Sequence, residues 1–338
     1  MKILITGAAG FIGFHLAKKF ISKNHQVLGV DNINSYYDQK LKKDRIKFLQ
    51  NISKNNKKKL FTFKKISIDN YKLLSREFKK FKPDQVVNLA AQAGVRYSLL
   101  KPLEYIKSNL VGFANILDLS KEFKVKHLIY ASTSSVYGGS KKKLLSEKDS
   151  VDHPLQLYAA TKRANELMAH SYSNLYHLKT TGLRFFTVYG PWGRPDMALF
   201  LFTKNILKKK PIEVFNYGNH IRDFTYIDDI VDGIFRVSSK KFPQNKKIKQ
   251  NPSESNCPFR VLNIGNNNPI TLEKYINEVE KELNIKAIKK YKPLQKGDVK
   301  KTHASIDKIK KLYGYKPKTN VATGIKKFVQ WYKEYYEV

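Results

Sequence analysis

Cysteine is almost absent from this chain of 338 residues, since Cys257 is the single one. One thiol cannot form an internal disulfide or a cysteine-based metal cluster, and the eight histidines lack the close spacing typical of zinc ligands. Long apolar runs are lacking too, because no stretch approaches the roughly 18 residues of a membrane span, and the start of the chain shows no signal-peptide layout. We therefore expect a soluble, cytoplasmic protein without a metal ion and without a membrane partner.

Acidic residues are scarce, with 28 against 64 basic ones, and the formal net charge is +36. Such a charge raises the possibility of nucleic-acid binding. Arginine, however, makes most of the bidentate contacts to guanine and phosphate, and only 9 of the 64 basic residues are arginine. The lysines are scattered in pairs and triples and form no stripe interleaved with aromatic residues. We interpret them as a solvated surface and predict no nucleic-acid partner.

Hydrophobic residues make up 41% of the chain, enough for a packed core, and their spacing alternates between that of strands and that of helices. Strands are predicted at 3–5, 26–30, 60–63, 85–89, 127–132 and 180–185, and helices at 11–22, 71–81, 103–123, 157–176 and 321–335. Such alternation predicts an α/β fold, a Rossmann-type doubly wound parallel sheet with a smaller mixed α/β domain at the C-terminal end. We assign 1–182, with parts of 222–265 returning to it, to the nucleotide-binding domain, and 183–338, including an exposed insertion loop at 240–259, to the substrate domain.

A glycine-rich turn follows the first predicted strand directly, with glycines at Gly7, Gly10 and Gly13. The first allows a tight turn, the second lets backbone amides approach a pyrophosphate, and the third lets the helix pack closely on the strand. Asp31 ends the second strand, where a carboxylate accepts hydrogen bonds from the adenosine ribose and repels a 2′-phosphate. The pattern predicts a dinucleotide site and favours NAD over NADP.

Four hydroxyl residues, 132–135, follow the apolar part of the fifth strand, at the edge of the sheet where open α/β folds bind ligands. They offer short, neutral hydrogen-bonding groups, and a local turn is the structural alternative. Tyr158 and Lys162 lie one helical turn apart on one face of the next helix. This spacing arises readily by chance with 20 Tyr and 55 Lys, and it recurs at Tyr36/Lys40, Tyr97/Lys101 and Tyr137/Lys141. Context favours Tyr158, which opens a convincing helix soon after the hydroxyl-rich strand end.

The pairing of a phenol with an ammonium group indicates acid–base chemistry. A phenol with a pKa near 10 is a poor base at neutral pH. We expect the positive charges of Lys162 and of an oxidised nicotinamide to lower the pKa of Tyr158 by about three units. The phenolate could then remove a proton from a sugar hydroxyl while a hydride leaves the same carbon.

The motifs together resemble a known family along nearly the whole chain. The segments that carry the resemblance are 7–13, 31–38, 89–97, 108–110, 131–138, 158–162, 184–198, 222–229 and 297–299. On these segments the chain is similar to the extended short-chain dehydrogenase/reductases, and within them to the NAD-dependent epimerase/dehydratase family and its UDP-glucuronate 4-epimerases. The resemblance implies an isomerase that uses NAD, acts on UDP-glucuronate and UDP-galacturonate, and forms a homodimer through helices 103–123 and 157–176.

The resemblance also implies roles for individual residues. Catalysis falls to Tyr158, Lys162 and Thr133. The cofactor-binding positions are Gly7, Ala9, Gly10, Phe11, Ile12, Gly13, Asp31, Asn32, Asn34, Ser67, Ile68, Leu89, Ala90, Ala91, Gln92, Asn109, Ser132, Tyr158, Lys162 and Phe185. The substrate-binding positions are Arg96, Thr133, Ser134, Ser135, Tyr158, Thr187, Arg194, Arg222, Gln295 and Asp298. One departure stands out: Ser67 replaces the acidic residue usual near the adenine, so we expect weaker or altered adenine contacts.

Several reactions share the oxidation of the sugar at C4 and differ in the fate of the 4-keto sugar. Sugar-nucleotide dehydratases carry Asp-Glu after the catalytic threonine, and UDP-glucuronate decarboxylases usually carry Ser-Glu. Ser134 and Ser135 stand at those positions here and have no carboxyl group for further acid–base work. We therefore favour epimerisation. The alternatives are a UDP-glucose or UDP-N-acetylglucosamine 4-epimerase, a UDP-glucuronate decarboxylase and, more remotely, a non-catalytic protein that binds NAD or nucleic acid.

Overall fold

A parallel sheet of seven strands forms the centre of the structure, a computed structural model that describes residues 1–54, 59–243 and 251–338. The strands of the described residues are, in chain order, β1 (Lys2–Thr6), β2 (Gln26–Asp31), β3 (Phe61–Lys65), β4 (Gln85–Asn88), β5 (His127–Thr133), β6 (Thr180–Phe185), β7 (Thr187–Tyr189), β8 (Ile212–Val214), β9 (Ile221–Arg222), β10 (Phe224–Tyr226), β11 (Phe259–Ile264), β12 (Ile270–Thr271) and β13 (Lys289–Tyr291). The central sheet has the order β3-β2-β1-β4-β5-β6-β11, and every neighbouring pair is parallel.

Helices cover the sheet on both faces. The helices of the described residues are α1 (Phe11–Ser22), α2 (Gln39–Lys54), α3 (Tyr71–Phe81), α4 (Tyr97–Leu100), α5 (Pro102–Tyr105), α6 (Gly112–Glu122), α7 (Leu157–Tyr176), α8 (Ala198–Leu207), α9 (Ile227–Ser239), α10 (Leu272–Leu283), α11 (Asp307–Tyr313) and α12 (Val321–Tyr336). Two buried hydrophobic clusters lie on the two sides of the sheet, so most strand residues are buried and read as continuous apolar runs. The predicted Rossmann-type α/β fold is confirmed. In the part of the chain described, no helix is both long and apolar enough to cross a membrane.

The strand order places the crevice of the fold between β1 and β4. From β1 the chain proceeds outward to β2 and β3 on one side, and it then returns to β4, β5 and β6 on the other. In doubly wound sheets, ligands bind at such a reversal, beside the carboxyl ends of the strands. The loops after β1, β4 and β5 therefore meet at one edge, and these loops contain the glycine-rich turn, residues 89–92 and the hydroxyl run.

The helix predicted at 103–123 differs from the prediction. The structure divides it into α5, a wider π-type turn at Ile106–Val111, and α6. A π turn accommodates one extra residue and is frequent at functional sites. Here it contains Asn109, whose side chain is buried against Gln92 and Thr161. Apolar spacing cannot reveal such a turn, because the residues on both sides keep helical periodicity.

The C-terminal half returns one strand to the central sheet. Strand β11 pairs in parallel with β6, and three small two-stranded sheets, β7–β10, β9–β12 and β8–β13, lie outside the central one. The division of the chain at residue 182 stays a prediction. Of the predicted insertion loop 240–259, residues 244–250 lie outside the described residues. The described remainder is not uniformly exposed, because Ser253 binds Asn251 and Lys308 in a buried position and Phe259 begins β11.

Candidate active site

The glycine-rich turn forms a cradle that side chains would fill. Gly7 has a φ of +73°, and a Cβ there would lie 2.7 Å from the backbone nitrogen of Ala90. A Cβ on Gly13 would lie 2.1 Å from the carbonyl oxygen of Gly7, so the helix can approach the strand only without it. Gly10 is the N-cap of α1 and has no side chain to cap the first turn. The amides of that turn and the positive end of the helix dipole therefore face an open space suited to a pyrophosphate.

Asp31 lies at the end of β2, beside this cradle. Its carboxylate accepts hydrogen bonds from the backbone nitrogens of Ala9, at 3.1 Å, and Ile33, at 2.8 Å. Burial raises the pKa of Asp31, while the two backbone donors and the nearby Lys42 oppose the rise. The carboxylate thus fixes the turn after β1 against the turn after β2. Oxygen lone pairs that these bonds leave free could accept hydrogen bonds from a ribose.

The residues after β3 include Ser67, the position expected near the adenine. Ser67 donates a hydrogen bond to the carboxylate of Asp69, and it accepts one at 3.4 Å from the side chain of Asn32. An acidic group therefore stands beside Ser67, although it comes from two positions further along the chain. The sequence suggested that an acidic residue is missing here, and Asp69 partly replaces it. The motif did not reveal Asp69, because the usual acidic position of the family corresponds to residue 67.

The loop after β4 is fixed by amide side chains. Asn109 accepts a hydrogen bond from the backbone nitrogen of Gln92 at 2.8 Å, and it donates to the carbonyl oxygen of Gln92 at 3.0 Å and to Thr161 at 3.1 Å. Gln92 in turn accepts from Asn34 at 3.4 Å. Asn109 thus joins the cofactor-side loop to helix α7 through its own side chain. Its predicted contact with a cofactor stays a prediction.

The other predicted cofactor positions lie around the same edge of the sheet. Ser132, near the end of β5, is buried and donates its hydroxyl to Glu166 at 2.6 Å. The remaining ones are Phe11 and Ile12 in the first turn of α1, Ile68 after β3, Leu89, Ala90 and Ala91 after β4, and Phe185 at the end of β6. Phe185 is the register partner of Thr133 on β5, so the hydroxyl run and the end of β6 are side by side.

Tyr158 and Thr133 are brought together, as the sequence predicts. Tyr158 lies in the first turn of α7, near enough to the Thr133 side chain for the threonine to oppose the rise in the pKa of its phenol. The Thr133 hydroxyl oxygen also accepts from the backbone nitrogen of Ser135 at 3.2 Å, so its single proton is free to be donated to the phenol. A threonine that donates to this oxygen stabilises the phenolate more than the phenol.

The charge around Tyr158 differs from the expectation. Burial raises the pKa of Tyr158, and the groups that oppose this rise are Arg194 and the Thr133 hydrogen bond. The sequence predicted that role for Lys162. Lys162 is itself buried, and burial lowers the pKa of its ammonium group to about 8, opposed only by Glu166. In the protein alone, therefore, the cation that favours the phenolate belongs to the loop 190–196, which we call the substrate loop.

Arg194 of the substrate loop is held in place by an acidic residue. Its Nε donates to Asp196 at 3.0 Å, and Asp196 also accepts a hydrogen bond at 3.0 Å from Tyr36. Burial disfavours the charged guanidinium, but Asp196 raises its pKa above the ordinary value. Burial and the Asp196 carboxylate raise the pKa of Tyr36 to about 12, so Tyr36 is a neutral hydrogen-bond donor and not the base that its Tyr-x-x-x-Lys spacing allowed. Asp196 and Tyr36 were not predicted as site residues.

A small cleft of about 20 Å³ opens next to Arg194. Thr187 and Arg194 line it together with Phe11 from the first turn of α1 and a set of apolar and aromatic residues. Thr187 begins β7, two residues after the end of β6, while the half-buried Ser134 and Ser135 follow Thr133 at the end of the neighbouring strand β5. The hydroxyls predicted to bind substrate therefore come from two adjacent strand ends.

The predicted phosphate-binding residues form a second group. The Nη2 of Arg222, on β9, donates to Asp298 at 3.0 Å, and Arg222 Nη1 donates to the carbonyl oxygens of residues 221 and 300. Gln295 lies in the same loop as Asp298, and its carbonyl oxygen accepts from the Asp298 backbone nitrogen at 3.2 Å. Arg96 is exposed after β4, and its guanidinium stacks over Phe215 at 5.4 Å. In the described ranges 1–54, 59–243 and 251–338, no three His, Cys, Asp or Glu side chains cluster to hold a metal ion.

Comparison with known proteins identifies the class to which this fold and site belong. The sequence profile of the NAD dependent epimerase/dehydratase family matches residues 3–249. The chain belongs to this family. It is 54% identical to Protein CapI of Staphylococcus aureus over the full length of both chains, and 45% identical to a probable UDP-glucuronate 4-epimerase of Rhizobium meliloti, covering 99% and 98% of the two chains. Its structure is similar to that of UDP-glucuronic acid 4-epimerase from Bacillus cereus in complex with UDP-glucuronic acid and NAD, with a TM-score of 0.88, 34% identity and coverage of 99% and 100%.

The glycine cradle fits the cofactor of the family. Cβ atoms at Gly7 or Gly13 would collide with the backbone, and the uncapped first turn of α1 leaves its amides for an anion. The residues that would hold NAD are those of the cradle for the pyrophosphate and Asp31 for the adenosine ribose. The protein is accordingly an epimerase-family enzyme that uses NAD.

Proposed function

We propose that this chain is an NAD-dependent isomerase that interconverts UDP-glucuronate and UDP-galacturonate through a transient 4-keto sugar. The observation that carries the proposal is the proximity of Tyr158 to the Thr133 side chain, with Lys162 one helical turn further along α7. It lies at the sheet edge that also presents the dinucleotide cradle and the hydroxyls of two strand ends. The relatives named UDP-glucuronate 4-epimerase and the Bacillus cereus enzyme supply the substrate class.

Tyr158 acts as the base in this proposal. The chemistry that NAD supplies when bound is reversible hydride acceptance at the sugar's C4. The Tyr158 oxygen takes the proton of the C4 hydroxyl and later returns it, while Thr133 donates a hydrogen bond that stabilises the charge on the phenolate. Lys162 lies close behind on α7 and adds a positive charge when protonated. Because burial alone raises the pKa of Tyr158, full activation of the base depends on the loaded site.

The identity of the sugar rests on the groups around the base. A uronate brings a carboxylate, which the hydroxyls of Thr133, Ser134, Ser135 and Thr187 can hold by hydrogen bonds. No carboxyl group stands at positions 134 and 135, where an acid would repel the substrate or assist elimination. A carboxylate held in the plane of the sugar resists the loss of CO₂ from the 4-keto acid, because that loss needs the breaking bond perpendicular to the carbonyl plane. The keto sugar then turns over and accepts the hydride on its other face.

The diphosphate is assigned to the arginine group of the C-terminal half. Arg222 presents a guanidinium fork, the geometry that suits a pyrophosphate, and Asp298 orients it at 3.0 Å. Arg96, Gln295 and Asp298 are assigned to the rest of the nucleotide. These assignments rest on the family resemblance.

We also propose a homodimer. Large apolar side chains are exposed on the segment 99–111 and on α7, including Leu103 at 78% and Leu167 at 56%. Solvent-exposed apolar side chains concentrated on adjacent helices mark an interaction surface. Light scattering after size exclusion checks the mass in solution, and Leu103→Glu with Leu167→Glu should convert a dimer to a monomer. A cytoplasmic location stays a prediction from the sequence.

The function is tested with purified protein and UDP-glucuronate, followed by separation of the nucleotide sugars. We expect UDP-galacturonate, formed without added NAD if the cofactor stays bound. A pentose nucleotide as the main product would assign the chain to the decarboxylases instead. UDP-glucose in a parallel assay discriminates the neutral-hexose epimerase, because faster turnover of UDP-glucose than of UDP-glucuronate contradicts the proposed substrate.

A further inference from the structure

A fully buried arginine joins the glycine-rich turn to the substrate loop. Arg45, on α2, has no exposed surface. Its Nη1 donates to the carbonyl oxygen of Ala9 at 2.8 Å and to the hydroxyl of Tyr37 at 2.8 Å. Its Nη2 donates to the carbonyl oxygens of Trp192 at 2.6 Å and Gly193 at 3.3 Å. One guanidinium fork thus binds the backbone of both loops that flank the proposed site.

The acceptors of Arg45 are neutral. Among the described residues it forms no ion pair, and its Nε has no hydrogen-bond partner. A buried cation without an ion-pair contact is costly even with the charge of Asp31 nearby, and stability alone would be served as well by an apolar side chain or by a paired charge. The planar fork, by contrast, reaches two separate backbone segments at once, which a lysine cannot do with the same geometry. This arrangement indicates a positioning role.

A second contact ties the substrate loop to α1. The Nε2 of His15 lies 2.9 Å from the carbonyl oxygen of Pro191. A carbonyl oxygen only accepts, so Nε2 carries the proton. Burial lowers the pKa of His15 to about 3, with Lys18 and Arg45 adding to the effect, and the ring is therefore neutral at physiological pH. His15, on α1, and Arg45, on α2, therefore bind consecutive parts of the substrate loop.

The substrate loop adopts a backbone that needs such support. Trp192 has a φ of +60°, in the left-handed region that bulky residues rarely adopt, and Gly190 has a φ of +141°. The Trp192 ring packs against Phe14 of α1, with centroids 5.2 Å apart, and against Trp331 of α12 at 5.5 Å. A strained loop persists when its surroundings fix it, and strain of this kind is frequent at functional sites.

The loop that Arg45 holds contains Arg194, the cation whose charge favours the phenolate of the proposed base. Arg194 directly follows Gly193, and its charge opposes the rise in the pKa of Tyr158. We propose that Arg45 is a positioning residue, which clamps the substrate loop onto the glycine-rich turn and so sets Arg194 in register with the loaded dinucleotide cradle. The inference rests on the proposed function for the identity of the substrate, but not for the clamp itself.

The test compares Arg45→Lys and Arg45→Met with Arg260→Lys. Arg260 is another fully buried arginine, on β11, where its side chain lies over Phe242 away from the substrate loop. The clamp predicts that Arg45→Lys raises the KM for UDP-glucuronate about 10- to 100-fold, as expected when charged hydrogen bonds are lost and a reacting group is misplaced. Arg45→Met should have a larger effect, and partial recovery in the lysine variant shows that charge contributes. Arg260→Lys should lower the melting temperature and leave KM unchanged.

The pH profile separates positioning from folding. The groups that face Tyr158 are Thr133, Lys162, Arg194 and, from α5, Tyr105, whose ring is 6.1 Å away. If Arg194 moves away in Arg45→Lys, the pKa of Tyr158 rises, and the rise of kcat/KM with pH shifts to higher pH. A purely structural role leaves this profile in place. Arg45→Lys and Arg260→Lys variants that both lose only thermal stability, with KM, NAD content and pH profile as in the wild type, overturn the proposal.

Two further measurements keep the clamp testable if the wild type does not act on UDP-glucuronate. NAD released by heat denaturation after gel filtration reports the cradle, and calorimetric binding of UDP reports the nucleotide site. The clamp predicts that both decrease in Arg45→Lys and neither in Arg260→Lys. Should Arg45→Met fail to fold, His15→Phe removes the contact to Pro191 with a similar volume and should cause a smaller shift in the same direction. No effect on KM or NAD content in either His15→Phe or Arg45→Lys contradicts the clamp.

Discussion

Helix α7 contains two buried polar clusters one turn apart, and they are built in opposite ways. Glu166 is fully buried and fully paired: its carboxylate binds Arg184 through two hydrogen bonds of 2.8 Å each, accepts from Ser132 at 2.6 Å and from Arg163 at 3.1 Å. Burial opposes its ionisation, but the two arginines and the serine hold the pKa of Glu166 below the ordinary value. Every lone pair has a donor, so this end of the helix is fixed.

Lys162, one turn earlier, is compensated only by the charge of Glu166. Among the described residues it forms no ion pair, and burial lowers its pKa to about 8. Tyr158, one turn earlier again, has its pKa raised by burial. A group whose charged form is disfavoured in the empty protein becomes charged when a ligand supplies the missing interactions. The difference indicates which buried polar groups serve the structure and which are held ready for chemistry.

The largest expected effect follows from removal of the phenol oxygen. Tyr158→Phe should reduce turnover of UDP-glucuronate by about 10²–10⁴-fold, the range for loss of a general base, while NAD stays bound. The matched control is Tyr137→Phe, because Tyr137 has the same spacing to a lysine but donates its hydroxyl to Asn263 at 2.6 Å. Single-turnover kinetics and the NAD content of both variants measure the effect. Activity that survives in Tyr158→Phe would mean that another group is the base.

The paired cluster predicts the largest loss of stability. Glu166→Gln removes the negative charge between two arginines, one of them fully buried, and breaking a buried pair from one side costs about 3–5 kcal/mol. Denaturant titration of wild type, Glu166→Gln, Arg184→Met and the double variant gives the coupling energy of the pair. The folded pKa of Glu166 is lowered, so its contribution is present above the unfolded pKa and is lost as pH falls through the folded one. Stability of the glutamine variant should therefore decline less toward acid than that of the wild type.

The sequence predicted much of the fold because the apolar spacing within a segment agreed with the way that segment packs in the folded protein. Helices α1, α3 and α7 begin and end where apolar spacing placed them, since each buries one regular face against the sheet. The sequence analysis expected parts of 222–265 to return to the nucleotide-binding domain, but it did not identify β11 as a strand, and it did not predict the small sheets of the C-terminal half. These strands have two to six residues, and they pair with partners far along the chain, which no short-range pattern reveals.

Site residues were predictable where an unusual residue pattern has a structural or chemical reason. Glycines at close backbone contacts and a hydroxyl run after an apolar strand are such signals. Asp196 and Arg45 were missed, because an acidic residue two positions from an arginine and an arginine in a lysine-rich helix look like surface groups until the fold pairs the first with Arg194 and buries the second. The expectation that Lys162 and an oxidised nicotinamide together lower the pKa of Tyr158 stays a prediction; in the protein alone, Arg194 and Thr133 oppose the rise that burial causes.

Removal of the poorly compensated lysine should stabilise the empty protein. The folded pKa of Lys162, about 8, lies below the unfolded value of 10.5, so the charged form is penalised in the folded state at neutral pH. Lys162→Met should raise the free energy of unfolding of the NAD-free protein by about 2–3 kcal/mol at pH 7 and should abolish turnover. Between about pH 8 and 10.5 the penalty disappears from the wild type, so the two proteins should converge. A methionine variant that is less stable than the wild type at pH 7 contradicts the account of Lys162 as a poorly compensated charge.

The smallest expected effect concerns Arg194, which links the unpaired cluster to the substrate loop. Its charge opposes the burial-driven rise in the pKa of Tyr158. In Arg194→Gln that opposition is absent, so the pKa of Tyr158 rises and less phenolate is present at a given pH. The acid limb of kcat/KM should shift to higher pH by about one unit or less, as expected for one charge at the edge of a buried site.

Arg96→Gln is the control for this shift, because the Arg96 guanidinium is exposed, stacks over Phe215 and is not among the charges that act on Tyr158. Both variants can weaken substrate binding, since both arginines are proposed to contact substrate, and KM alone therefore does not discriminate them. Only Arg194→Gln should move the pH at which activity rises. An equal shift in both variants, or no shift in either, would show that Arg194 of the substrate loop does not influence the pKa of Tyr158. The activating charge would then come from Lys162 and the cofactor alone.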